Sequence, residues 1–391
     1  MTRTAALPGA DPAEIGLLPD RTQQVTRVLQ DCVDRQHIPG AVVLIARQGR
    51  IGLFEAIGQQ DPAAGTPMRT DSIFRIYSMT KPLVSLAVMM LAERGRLLLS
   101  DPVERWLPEY SRQQVWTPQG PQPVRQSATV QDLLRHTAGL TYEFLGDAPV
   151  QRQYDAADIG ARHRSNADFS RTLATIALMF QPGSVWSYSR ATDVLGRLVE
   201  VISGQTLGQF LQSEILGPLG MVDTGFAVPP AQQHRIVEPF DHDPDGGVPM
   251  PMFNPREVPA MESGGGGLMS TALDYARFLQ CLRNGGELGG HRLISRHTLA
   301  FMTADHLGHI PIDGTLLPPG HGFGLGFAVR RALGESPVPG SVGTYHWSGI
   351  GGTSFFVDPQ QDLYALLLTQ APNQRHHYRQ LLRHLVYAAL E

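Results

Sequence analysis

The stretch Phe74-Arg75-Ile76-Tyr77-Ser78-Met79-Thr80-Lys81 carries an alcohol and an amine three residues apart, Ser78 and Lys81. Three residues is close to one helical turn, so the spacing predicts both side chains on one helix face. A serine hydroxyl is a poor nucleophile until a base takes its proton. A lysine in an apolar or cation-flanked setting can lose its own proton near neutral pH and serve as that base. Of the 32 lysines and arginines in the chain, Lys81 is the single lysine. Arginine does not deprotonate in proteins, so it cannot replace a lysine that must act as a base. A chain that carries its other positive charges on arginine, and keeps lysine one turn after a serine, points to a position that needs an amine. Pro82 fits a helix only in the first turn, which puts Ser78 at the helix N-terminus. There, free N–H groups and the macrodipole favour negative charge. The run Leu83–Leu91 is apolar nearly all round and predicts a buried helix.

The bulk numbers fit an enzyme-sized globular chain. It has 391 residues, 42% of them hydrophobic, enough for a large core in one domain or in two that share a cleft. Net charge is −4 with no block of like charge, so nothing points to nucleic acid or an anionic membrane. Cys32 and Cys281 each fall in an apolar helical pattern and read as core thiols rather than a disulfide or metal pair. Neither a signal-peptide core nor an apolar run of membrane-spanning length is present, which predicts a cytoplasmic protein.

Outward from the central stretch, residues 1–18 read as a loose arm. Asp20 opens an amphipathic helix carrying Val25, Val28, Leu29, Cys32 and Val33. Ala41–Ala46 and Ile51–Ile57, joined through Gln48-Gly49, predict an antiparallel hairpin. Helices are expected over Ser170–Met179, Thr192–Ser203, Thr206–Leu216 and Thr271–Leu282, with Thr129 and Asp132 as a cap pair before Leu133. Residues 228–259 are proline-rich and aperiodic, an ordered loop. Strands are expected over Gly324–Val329, Thr344–Ser348, Thr353–Val357 and Leu363–Thr369, then a helix over Arg375–Leu390. The economical arrangement is one α/β domain built from both ends, residues 1–72 and 261–391. A mainly helical region, 73–260, is inserted, and the active site lies in the cleft between them.

A serine nucleophile also needs an orienting network and oxyanion donors. No serine lies in G-x-S-x-G, which disfavours the α/β-hydrolase elbow. Trp186-Ser187-Tyr188-Ser189 follows a Pro-Gly turn and precedes a helix. Tyr188 beside the Lys81 ammonium would have its pKa lowered and could act as a base; by itself it reads better as a core tyrosine. His346-Trp347-Ser348-Gly349-Ile350-Gly351-Gly352 offers a close-approach turn whose N–H could join that of Ser78 as an oxyanion donor. A plain glycine-rich strand end fits it equally. His136 reads as structural. Asp241, Asp243 and Asp245 begin a calcium-loop pattern that Met252 breaks at its twelfth position. His376, His377 and His384 read as a solvated helix face.

S-M-T-K at 78–81, Y-S-R at 188–190 and W-S-G at 347–349, with L-L-R-H-T-A-G-L at 133–140 and S-G-G-G-G-L-M-S-T at 263–271, resemble the serine β-lactamase-like superfamily. Within it the chain is most similar to the family VIII carboxylesterases, which look like class C β-lactamases but mainly cleave esters. The resemblance implies the β-lactamase/transpeptidase-like fold, an antiparallel sheet flanked by helices plus a mainly helical insertion. It implies Ser78 as nucleophile, Lys81 and Tyr188 as the base pair, and the N–H groups of Ser78 and Ile350 as oxyanion hole. Trp347, Ser348 and Gly349 would contact substrate. Penicillin-processing relatives carry K-T-G where this chain has Trp347-Ser348-Gly349. Tryptophan cannot attract an antibiotic carboxylate and offers apolar area to an uncharged group. Arg190 stands where class C enzymes have the asparagine of Y-x-N. The expected activity is hydrolysis of short-chain esters through an acyl-enzyme on Ser78, with no metal or cofactor required. Alternatives are β-lactamase or D-amino-acid peptidase activity, an acyltransferase on the same acyl-enzyme, and a non-catalytic acyl-ligand binder.

Overall fold

Eight strands form one antiparallel sheet, and its strands come from the two ends of the chain. The structure is a computed structural model that describes residues 7–391. The first strands are β1 (Gly40–Arg47), β2 (Arg50–Asp61) and β3 (Thr66–Pro67). A short strand, β4 (Phe74–Arg75), pairs outside the sheet with β5 (Met269–Ser270). From the C-terminal end come β6 (His321–Phe323), β7 (Ala328–Arg330), β8 (Tyr345–Ser348), β9 (Ser354–Asp358) and β10 (Leu363–Thr369). The spatial order is β6-β7-β8-β9-β10-β1-β2-β3, so β1 and β10 join the two ends with Ala41 opposite Thr369. Gln48 and Gly49, both at positive φ (52° and 75°), make the tight β1–β2 turn, the conformation that matches strand twist in hairpins.

The run Gly-Ala-Val-Val-Leu-Ile-Ala of β1 is buried on both faces, which is why it shows no polar alternation. Ala41, Val43 and Ile45 face the layer of α1 (Pro19–Asp34) and the C-terminal helix, α5 (Arg375–Tyr387). Val42, Leu44 and Ala46 join the larger core, where α2 (Thr80–Glu93), α3 (Ala191–Ser203) and α4 (Ala272–Arg283) pack. Helix α2 is buried from Thr80 through Leu91, as its all-round apolar pattern predicts. Among the described residues no helix is long and apolar enough to cross a membrane.

Four sequence expectations change. Residues 7–18 are not a loose arm: Pro12–Ile15 is a short 3-10 helix, Gly9 bridges Ile51, Leu17 bridges Leu390, and Ile15 and Leu17 are fully buried. Residues 1–6 of that expected arm lie outside the described ones. The helix expected over Ser170–Met179 runs Asn166–Ala174, because Ser165 caps it by accepting from the Asp168 N–H. The strand expected over Gly324–Val329 is mostly the turn between β6 and β7, where Gly324 N–H donates to Phe327 O. The helix expected over Thr206–Leu216 is α-helical only to Leu211 and finishes as a π turn. The loop 228–259 is ordered by Arg75, whose guanidinium donates to Phe253 O and Val237 O, both at 2.7 Å, and to Glu238 at 2.8 Å.

Candidate active site

Ser78 sits in a one-turn 3-10 segment, Tyr77–Met79, that runs directly into α2. Tyr77 before it has φ 44°, a strained conformation for an aromatic residue, held by the edge-on contact of its ring with Phe253 (5.0 Å). Lys81 is the second residue of α2 and Pro82 the third, so the proline lies in the first turn as expected.

The Lys81 side chain is fully buried. Its Nζ donates to Gly265 O at 2.6 Å and to Tyr142 Oη at 2.9 Å, and lies 3.2 Å from Ser78 Oγ. A neutral amine has two N–H bonds and one lone pair. With both N–H groups committed to Gly265 and Tyr142, the lone pair is left for the Ser78 proton. Burial lowers the Lys81 pKa to about 7; the Asp193 carboxylate opposes the shift and the Arg190 cation adds to it. Near neutral pH a large share of the amine is therefore free to accept a proton.

Gly265 is held by Asp193, whose Oδ1 accepts from the Gly265 N–H at 2.9 Å and from Ser263 Oγ at 2.5 Å. A side chain on Gly264 would meet Thr192 O at 2.5 Å, and one on Gly265 would meet Asp193 Oδ2 at 2.6 Å. The glycine run is thus what lets this carbonyl approach α3 and Lys81. The Arg190 side chain is mostly buried. It pairs with Glu143, lies 3.6 Å from Asp193, and stacks 4.9 Å from the centre of the Tyr142 ring. His136 is buried at φ 58°, with Nδ1 3.0 Å from Ser189 Oγ, and burial holds its pKa well below the usual value. It shapes the aromatic wall at 4.9 Å from the Tyr188 ring.

Tyr188 departs from expectation. Its ring lies over Lys81, with Nζ 4.6 Å from the centroid, yet its pKa is raised, not lowered. Burial outweighs the hydrogen bonds to Ser78 and Trp347 that favour the phenolate. Burial thus favours the neutral form of both groups, the amine at Lys81 and the hydroxyl at Tyr188. Trp347 Nε1 donates to Tyr188 Oη at 3.2 Å, and the two rings are 5.2 Å apart. Replacing Trp347 by phenylalanine keeps the apolar wall and removes that donor. The expected result is a kcat about fivefold lower, for one hydrogen bond of about 1 kcal/mol, with KM for a neutral ester little changed.

Tyr142 is the residue sequence reasoning missed. Its only local signal is the L-T-Y that follows H-T-A-G, 61 residues from Lys81. Tyr142→Phe deletes one acceptor of the Lys81 amine. The ammonium loses more than the amine, so the acid limb of the pH–rate profile is expected to move to lower pH while kcat falls roughly tenfold. A purely structural tyrosine would leave that midpoint in place.

These groups open onto a cavity of about 720 Å³ that also meets Phe144, Phe253, Trp347, Ser348 and Ile350. After β8, the Gly349 N–H donates to Thr353 O, and the Ile350 N–H has no backbone acceptor among the described residues. The aspartates of the 241–245 loop do not form a cation cradle: Asp243 accepts from Asn373 and Gln374, both at 2.6 Å.

Residues 25–388 match the family described as Beta-lactamase. The chain belongs to that family. Esterase EstB from Burkholderia gladioli is 36% identical over 363 residues, 88% of either chain. Among solved structures, EstCE1, described as a hydrolase with promiscuous acyltransferase activity, is 30% identical with a TM-score of 0.78, covering 94% of this chain and 98% of that one. Simvastatin synthase LovD from Aspergillus terreus is 25% identical with a TM-score of 0.79 and the same coverage. The protein is a β-lactamase-like serine hydrolase working through an acyl-enzyme, and its fold is the β-lactamase/transpeptidase-like one.

Proposed function

We propose that this hydrolase is a carboxylesterase for short-chain esters, with Ser78 as the acylated residue. The observation that carries the reading is the Lys81 amine, with both N–H groups engaged and its remaining direction toward Ser78 Oγ. Lys81 takes the Ser78 proton as Oγ attacks the ester carbonyl. The N–H groups of Ser78 and Ile350 hold the oxyanion. As the tetrahedral species collapses, the proton returns to the departing alkoxide through the Tyr188 hydroxyl. Water then attacks the acyl-enzyme, gives its proton to Lys81, and the acid leaves as Ser78 is reprotonated. The inserted region 73–260 supplies Ser78, Lys81, Tyr142 and Tyr188, and segments 1–72 and 261–391 supply Trp347 and Ile350; the cleft between them is the proposed site.

Esters are favoured over β-lactams by Trp347. Trp347 stands at the position where penicillin-processing relatives carry the lysine of K-T-G, and its N–H is turned to Tyr188. Rates on p-nitrophenyl butyrate and on a chromogenic cephalosporin test this: the ester is expected to be the better substrate by kcat/KM, and a faster cephalosporin would overturn it. The similarity to EstCE1 and LovD supports acyl transfer as a second reading, seen as a new ester when an alcohol is added.

The Lys81 shift gives a signed pH dependence. The base must be unprotonated, so kcat/KM is expected to rise with pH through a midpoint near 7 and to fall below it. A profile flat from pH 5 to 9 would contradict the assignment.

A further inference from the structure

The cavity does not end at Ser78. It continues past Ser348 to the other face of β8, where α5 lies. Side chains alternate along a strand, so Tyr345 and Trp347 face Phe327 and Tyr188 while His346 points the opposite way. His346 stands opposite Phe356 in register, and its ring is 5.2 Å from His321 of β6. From α5, Arg375, Arg379 and Arg383 line the cavity. At i, i+4 and i+8 they share one helix face, a row about 12 Å long.

None of these three arginines has a carboxylate partner among the described residues. Arg379 donates to Gly349 O at 2.6 Å, which leaves its Nε without a partner. Arg383 is 7% exposed, lies 5.0 Å over the Phe356 ring, and its Nη1 has no partner. His321, 1% exposed, uses Nδ1 on Pro319 O and leaves Nε2 free, as does His346. No aspartate or glutamate lines the cavity among the described residues. Asp358, the carboxylate whose charge reaches Arg383, is taken by the Tyr387 hydroxyl and the Ser341 N–H. Arg330 adds another cation on this side and is spent on the Ala332 and Val338 carbonyls.

Unpaired buried cations are costly, and apolar or amide side chains would fill the same row more cheaply. Burial works against the charged form at each of Arg379, Arg383 and His321, lowering all three pKa values. An anion on this row would reverse each of these effects. A guanidinium carries five N–H donors, so Arg379, with one committed to Gly349 O, and Arg383 keep donors for a carboxylate.

We infer that the inner end of the cavity is a carboxylate subsite, in which Arg379, Arg383, His321 and His346 receive a carboxylate that the substrate carries several bonds from its ester. This rests on the ester-hydrolase reading. Arg379 is anchored beside the Ile350 turn and Arg383 lies one helical turn, about 6 Å, further in. The substrate class this describes is the half-ester of a dicarboxylic acid, its free carboxylate set back from the ester by a short alkyl chain.

The experiment compares p-nitrophenyl hydrogen adipate with neutral p-nitrophenyl hexanoate. The wild-type KM for the adipate ester is expected at least tenfold below that for the hexanoate. In Arg383→Met the ratio of kcat/KM, adipate over hexanoate, is expected to fall at least tenfold. Free adipate is expected to compete with hexanoate hydrolysis and to raise the melting temperature of the wild type. If Arg383→Met does not fold, the wild-type ratio and the adipate competition decide alone. An adipate ester no better than hexanoate overturns the inference, and so does a preference that survives in folded Arg383→Met. Adipate that binds while its ester gains nothing also overturns it, since the anion would then be a separate ligand. Should no ester be turned over, the hydrolase reading fails on its own. The melting shift with adipate, present in wild type and lost in Arg383→Met, would still support the subsite, and its absence would overturn it.

Discussion

Ser78→Ala is expected to lower kcat for p-nitrophenyl butyrate by roughly 10⁴- to 10⁶-fold, the range seen when a serine nucleophile is removed from a working constellation. The substitution removes one oxygen from a residue of the 3-10 turn and leaves Lys81 its two other partners, Gly265 O and Tyr142 Oη. The fold is therefore expected to persist, with KM nearly unchanged and the residual rate supplied by the oxyanion donors alone. Steady-state kinetics on protein with an unaltered melting curve checks this. Full esterase activity in the alanine variant would move the reaction to another residue.

Lys81→Arg keeps the charge and is nevertheless expected to cost roughly 10²- to 10⁴-fold in kcat/KM, the usual worth of a general base. The wild-type amine is buried with a pKa of about 7, so it is free to accept a proton at neutral pH. A guanidinium is planar, carries five donors and no lone pair for this task, and does not deprotonate. Raising the pH separates this cause from simple misfit. Wild-type activity climbs through pH 7, whereas the arginine variant is expected to stay inactive up to pH 9. Near-normal turnover in Lys81→Arg would show that a neutral amine is not needed.

The reach of sequence reasoning follows from what kind of group does each job. Ser78 and Lys81 were legible because a helical turn fixes their spacing and because lysine is unique in the chain. The strands at the two ends were legible because runs such as 363–369 are continuously apolar and buried. Gly265 could not be identified, since it acts through a carbonyl that every residue has; only the need for small residues beside Asp193 marks it. Tyr142 reaches Lys81 across the fold and no spacing encodes that contact. Attraction to an ammonium predicts the opposite sign for the Tyr188 shift, because the degree of burial that dominates it is not written in the local sequence. The helix misplaced at 170–179 has a related cause. Ile176 and Leu178 are apolar because Leu178 bridges Val115, not because they continue a helix.

The α5 arginines were legible as residues and not as a site. On paper Arg375, Arg379 and Arg383 look like one side of a solvated helix shared with His376, His377 and His384. His377 and His384 are exposed as expected, His376 is exposed but also lines the cavity, and the arginine row turns inward against β8 and β9. Only the packing of α5 on the sheet distinguishes the two faces.

The central claim is that Ser78 forms the acyl-enzyme with Lys81 as its base. Reaction with a fluorophosphonate, followed by intact-mass measurement and peptide mapping, tests it most directly. One adduct per chain, on the peptide containing Ser78 and formed faster above pH 7 than below it, is the predicted result. An adduct on a different residue, or none in protein that hydrolyses esters, would contradict it.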